Sequence, residues 1–150
     1  MRLNFLILIV FLLIGCKSLE RGKPDPTWDF EKYMLESQRY TTSEKYFKAV
    51  DLLKEAIAKF PNEDLVAINY NIAFNYFKLR RFEEATSYFN SVIKLFEEKD
   101  FSEAQKMENK KFVLLSNIVL DRIKVILEEL KDPYHIQEDI KKNKVIKPKK

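Results

Sequence analysis

From Trp28 onward, apolar and polar residues recur with helical spacing. The pattern predicts a first helix with Thr27 or Asp29 as N-cap, running to about Tyr40. A second begins near Ser43 and places Phe47, Val50, Leu53, Ala56, Ile57 and Phe60 along one side before Pro61 ends it. Asn62 is expected to cap a third helix that runs to about Leu79, with Glu63 and Asp64 in the first turn, where the helix dipole favours negative charge. Arg80-Arg81 reads as a tight turn and Phe82 to Glu97 as a fourth helix. Ser102-Glu103-Ala104-Gln105 forms a capping box, opening a stretch to Leu130 with no Gly or Pro. One helix or a third hairpin satisfies that stretch equally. Asp132-Pro133 stops it, and a short element is expected near Ile136–Ile140.

Between positions 112 and 127, 11 of 16 residues are apolar, Ile118 and Ile123 among them. Asn117, Asp121, Arg122 and Lys124 interrupt the run and argue against a membrane span. Its apolar arc is wider than the ~100° stripe that one-sided packing requires. Such a helix either lies at the centre of a compact fold or keeps a second face for a partner. The compact arrangement is the first expectation, and Ile118 and Ile123 are the candidate partner contacts under the second.

The second and fourth helices superimpose in sequence. Tyr46-Phe47-Lys48-Ala49 aligns with Phe82-Glu83-Glu84-Ala85, Ser37 with Ala73, Tyr40 with Tyr76, Leu53 with Phe89 and Ala56 with Val92, all at an offset of 36 residues. A period of this size with two helices per unit indicates stacked helical hairpins. Small residues at 37, 73, 49 and 85 let the paired helices approach closely. Tyr33, Ser37, Tyr40, Ala49, Leu53, Ala56 and Pro61 resemble the signature positions of the tetratricopeptide repeat, as do Ala73, Tyr76, Ala85, Phe89 and Val92 in the second copy. The resemblance implies an all-α fold of about two repeats, covered at the open end by the long C-terminal segment. The second copy departs from the family at Asn69, where an aromatic is usual, at Arg80, where Gly is common in the turn, and at Glu97 in place of Pro.

The chain opens with Arg2 and a dense apolar run from Leu3 to Ile14, too short for a bilayer span, followed by Gly15 and Cys16. Leu13-Ile14-Gly15-Cys16 resembles the bacterial lipobox. That resemblance implies cleavage before Cys16 and a covalent lipid on it, diacylglycerol on sulfur and an N-acyl chain. Residues 1–15 are then a signal peptide, 16–27 a lipidated N-terminus and polar tether extended by Pro24 and Pro26, 28–131 the helical domain, and 132–150 a basic, disordered tail. By family analogy, Lys17 after the anchor favours the outer membrane, with the periplasmic face expected ahead of the cell surface.

Composition narrows the chemistry. The whole chain has 27 Lys and Arg against 23 Asp and Glu, and loss of Arg2 with the leader leaves 26 against 23. Six lysines (141, 142, 144, 147, 149, 150) crowd the last ten residues, so the body itself is slightly acidic. Nucleic acid is not expected as a partner, given the compartment that the lipobox implies. Cys16 is the only cysteine and His135 the only histidine, leaving no metal-ligand set, and no Gly-rich phosphate loop or nucleophile motif occurs. No catalytic activity, cofactor, metal or small-molecule substrate is expected.

A binding surface remains. In the tetratricopeptide family the first helix of each hairpin lines a concave groove, which implies Met34, Gln38, Arg39 and Thr41 from the first copy and Tyr70, Asn71, Phe74, Phe77 and Lys78 from the second. Asn71 matches the asparagine with which some members hold a peptide main chain. Met34 stands where a carboxylate clamp would need Lys, so an apolar, aromatic groove is the expectation. Tyr70, Phe74 and Phe77 also suit plain inter-helix packing. The lipobox, Ala49-Val50-Asp51-Leu52-Leu53 to Lys59-Phe60-Pro61, and Tyr70-Asn71-Ile72-Ala73-Phe74-Asn75-Tyr76-Phe77-Lys78 together resemble a shortened tetratricopeptide lipoprotein subunit of the outer-membrane β-barrel assembly machinery. That family has about five repeats. The resemblance implies a scaffold anchored in membrane lipid through Cys16 and docked on an envelope protein, a subunit of β-barrel assembly. A pilotin-like lipoprotein of another envelope complex, or a surface-exposed ligand-binding lipoprotein, are the alternatives.

Overall fold

Asp29 opens the first helix by accepting the Lys32 amide on its carboxylate at 2.8 Å, which satisfies one of the four orphan amides of a helix start. The computed structural model describes residues 24–131. The leader, Cys16, the tether as far as 23, His135, the element expected near 136–140 and the basic tail lie outside the described residues. Within them run α1 (Phe30–Thr42), α2 (Tyr46–Lys59), α3 (Leu65–Lys78), α4 (Phe82–Glu98) and α5 (Glu103–Lys131), and no strand. α1 pairs with α2 and α3 with α4, the two hairpins stack, and α5 lies against α4 and α3. The fold is all-α, with stacked helical hairpins in a tetratricopeptide-like arrangement. The last segment is one helix rather than a third hairpin. No described helix is long and apolar enough to cross a membrane.

The 36-residue repeat is also present in the backbone. Glu44 and Arg80 both take positive φ, 58° and 59°. Each is the left-handed residue of a Schellman motif: Lys45 N–H reaches the Tyr40 carbonyl at 2.8 Å and Glu44 N–H that of Thr41 at 3.0 Å, while Arg81 reaches Tyr76 at 3.0 Å and Arg80 reaches Phe77 at 2.9 Å. This closure explains why α2 starts at Tyr46 and not near Ser43: α1 continues to Thr42, and three residues then reverse the chain. A non-glycine residue at such a φ is disfavoured by ~1–2 kcal/mol. Arg80 is exposed, so Arg80→Gly is expected to stabilise the body by ~1 kcal/mol and raise Tm by roughly 4–8 °C. An unchanged or lower thermal midpoint would contradict the strain reading.

Two other boundaries differ from expectation. Asp64, not Asn62, caps α3, its Oδ1 accepting Val66 N–H at 3.0 Å. Its Oδ2 also accepts from Asn109 Nδ2 of α5. Pro26 does not continue an extended tether. Asp25 folds the segment into a turn by accepting Thr27 N–H on its carboxylate at 2.9 Å and Trp28 N–H on its carbonyl at 3.0 Å. Lys59 then donates to the carbonyls of Pro26 and Trp28 at 2.8 and 3.0 Å, binding this turn to the end of α2.

The repeat positions form the core. Ser37, Ala49, Ala73 and Ala85 are buried at the close approaches within and between hairpins, with Leu53, Phe89, Ala56 and Val92 filling the layers beside them. Tyr33 is buried with its hydroxyl donating to Glu55 Oε1 at 2.8 Å. Burial, then that hydrogen bond and the carboxylate charge, push its pKa up to about 12. Asn69, its counterpart in the second copy, turns its amide back to the Leu65 carbonyl at 2.7 Å, which is how an amide is accommodated where the repeat has a ring. Asn75, also buried, joins the hairpins: it donates to the Asn71 carbonyl at 2.7 Å, and its Oδ1 lies 2.9 Å from the Thr41 hydroxyl.

α5 begins as the capping box predicts, Ser102 N–H meeting Gln105 Oε1 at 3.1 Å and Gln105 N–H meeting Ser102 Oγ at 3.4 Å. Its buried residues, Asn109, Ser116 and Ile123, lie seven apart, with Phe112 and Val119 half-buried between them. That is a heptad seam on one side of the helix. The opposite side is open. The compact expectation for 112–127 therefore holds for half of the apolar residues only.

Candidate docking groove

The first helices of the two hairpins, α1 and α3, come together on one side of the stack, and α5 extends the same wall. They enclose a groove of about 610 Å³. α1 contributes Met34, Leu35, Ser37, Gln38, Thr41 and Thr42; α3 contributes Tyr70, Asn71 and Phe74; α5 contributes Phe112. The floor is aromatic. Tyr70 stacks on Phe74 at 6.5 Å between centroids, meets Phe112 at 5.2 Å, and stands edge-on to the core ring of Phe89 at 5.8 Å. Burial raises the Tyr70 phenol above its ordinary pKa. The rim is uncharged and polar: Gln38, Thr41, Thr42 and Asn71. A surface of this kind suits an apolar segment that also needs a few hydrogen-bond partners for its main chain.

Of the residues expected to form the groove, Met34, Gln38, Tyr70, Asn71 and Phe74 line it, and so does Thr41. Arg39 does not. It pairs with Glu36 at 2.9 Å and borders an adjoining shallow depression that shares Leu35, Gln38 and Thr42 with the groove. Phe77 is half-buried in the core cluster, 6.0 Å from Phe82, because a residue seven positions beyond Tyr70 has passed the end of the groove and meets the inter-helix turn. Lys78 is exposed in the last turn of α3, outside the lining. Neither of the two cations expected along the groove lines it, and its apolar, aromatic character is as expected. Ile123 is buried in the core cluster and cannot meet a partner; Ile118 is exposed.

Leu35, Ser37, Thr42 and Phe112 line the groove without having been expected there. Phe112 stands 36 residues after Tyr76, and Asn109 the same distance after Ala73. The first half of α5 thus occupies the place of a third repeat's first helix, although the polar Asn109 disguises the small position. Its amide is held by Asp64, which fixes Phe112 one turn later against Tyr70. Across the whole chain, comparison with known proteins finds no matching family model, no significant match among curated proteins and none among solved structures.

Proposed function

We propose that this chain is a non-catalytic, lipid-anchored docking protein of the cell envelope, held by an acylated Cys16 in the outer membrane and facing the periplasm. The groove between α1, α3 and α5 takes an extended or helical apolar segment of an envelope partner. The observation that carries this reading is the aromatic floor of Tyr70, Phe74 and Phe112 beneath an uncharged polar rim. Two features of the sequence set its place: Leu13-Ile14-Gly15-Cys16 resembles a lipobox, and the repeat segments resemble the tetratricopeptide lipoprotein of outer-membrane β-barrel assembly. On that resemblance the partner is a β-barrel assembly subunit.

Affinity purification of the full-length chain from detergent-solubilised membranes tests the proposal. A large β-barrel protein is expected among the co-purifying chains, and its absence overturns the assignment. Phe74→Asp, which places a charge on the groove floor, is expected to reduce the captured partner at least tenfold, as for a central aromatic anchor. Circular dichroism of the same variant must remain helical for the loss to be read as lost docking.

A further inference from the structure

The outer side of α5 carries an apolar stripe diametrically opposite its buried seam. Met107, Leu114, Ile118 and Val125 follow one another at helical spacing, exposed by 79%, 61%, 57% and 42%. An arc of this kind on water is unusual for a solvated end helix, whose outer face is ordinarily polar. Two charged residues interrupt it, Lys111 and Asp121, both exposed. Their placement is the informative feature. Turned about a two-fold axis near position 116, the stripe meets itself with Met107 opposite Val125, Leu114 opposite Ile118 and Lys111 opposite Asp121.

We propose that α5 pairs antiparallel with α5 of a second copy of this chain, joined by these apolar contacts and by two symmetry-related Lys111–Asp121 ion pairs. The geometry is that of an antiparallel coiled coil with residues at heptad spacing, and a two-fold is the commonest symmetry of a protein dimer. Charge decides the direction: a parallel pair in register would set Lys111 against Lys111 and Asp121 against Asp121, whereas the antiparallel pair satisfies both. Beside the stripe, Leu115 faces its own equivalent across the axis and Glu108 faces the partner's Arg122. Lys110 against the partner's Lys124 is the one unfavourable pair. Asp121 already holds Lys124 of its own chain at 3.1 Å, and a carboxylate has acceptor capacity for both lysines; Lys111 Nζ lies 4.9 Å from the Phe112 ring centroid and turns from it to reach the partner. The groove reading does not enter this argument, and the dimer is read out without any partner protein, so either can fail alone.

The test is covalent trapping of the full-length chain with a short bismaleimide. Leu115→Cys is expected to give a dimer on a denaturing gel, while the parent chain, which contains Cys16, and Ser87→Cys on α4 give none. Adding Lys111→Asp or Asp121→Lys to Leu115→Cys should reduce the dimer at least tenfold, since each places like charges opposite one another twice. Combining both substitutions in one chain should restore it, and mixing the two single-swap chains should restore it as a heterodimer. Restoration also shows that neither swap acts by unfolding the helix. Absence of the Leu115→Cys dimer overturns the proposal, the stripe being covered then by this chain's own C-terminal residues or by another protein. A dimer indifferent to the swaps overturns it equally.

Discussion

Phe89→Ala is expected to remove about 3–5 kcal/mol of stability, most of what a domain of this size has to lose. Phe89 is fully buried in α4 and belongs to the cluster that joins both hairpins to Ile123 of α5. Its ring also supports the groove from beneath, through the edge-on contact with Tyr70. Truncation leaves a cavity between layers that are already held at close approach by Ala73 and Ala85, so little collapse is available to fill it. Phe47→Ala is the control. Phe47 lies on the second helix of the other hairpin but is 56% exposed, and its removal should cost less than about 0.5 kcal/mol. Urea denaturation midpoints compare the two, and equal small losses would show that the layers are not packed as described.

Cys16→Ser is expected to move the protein from the membrane to the soluble fraction while leaving its helical circular dichroism intact. Each buried methylene of an acyl chain contributes ~0.8 kcal/mol, and one myristoyl chain gives only marginal binding; the two or three chains that the lipobox resemblance implies would make attachment effectively permanent. Nothing in the described body substitutes for them. The core is assembled from residues between Tyr33 and Ile123, so its folding has no need of position 16. The basic tail offers ~1 kcal/mol per lysine at an anionic surface, an attraction that a high-salt wash removes. A serine variant that still sediments with membranes after that wash would place the anchor elsewhere and overturn the lipoprotein reading.

The helices and their stacking were legible because the repeat is written in side-chain size. Ser37 and Ala73, Ala49 and Ala85, Leu53 and Phe89 pair at one offset, and a buried layer requires that regularity. The left-handed turn was legible only at Arg80, which stands where the tetratricopeptide repeat that the sequence resembles often has Gly; Glu44 carries no compositional sign of its positive φ. Asn62 and Asp64 are both good caps by type. The choice between them was made by Asn109, 45 residues from Asp64, which no local pattern reports. For α5, periodicity revealed that its apolar arc was too wide for one face, but not that Ile123 lies inside and Ile118 outside. The groove was half legible: residues on α1 and α3 followed from the repeat, while Phe112 was hidden because its repeat lacks a small residue and a second helix.

Packing in the body runs chiefly between helices adjacent in the chain, with α1 against α3 and α3 against α5 the steps that skip one. Loop closure is therefore short almost everywhere, a low contact order of the kind associated with folding in microseconds to milliseconds. The Thr41–Asn75 and Asp64–Asn109 bonds are the exceptions, the second tying the start of α3 to α5 across 45 residues. α5 is the one described helix that belongs to neither hairpin. Without it the groove would be missing the wall that Phe112 supplies.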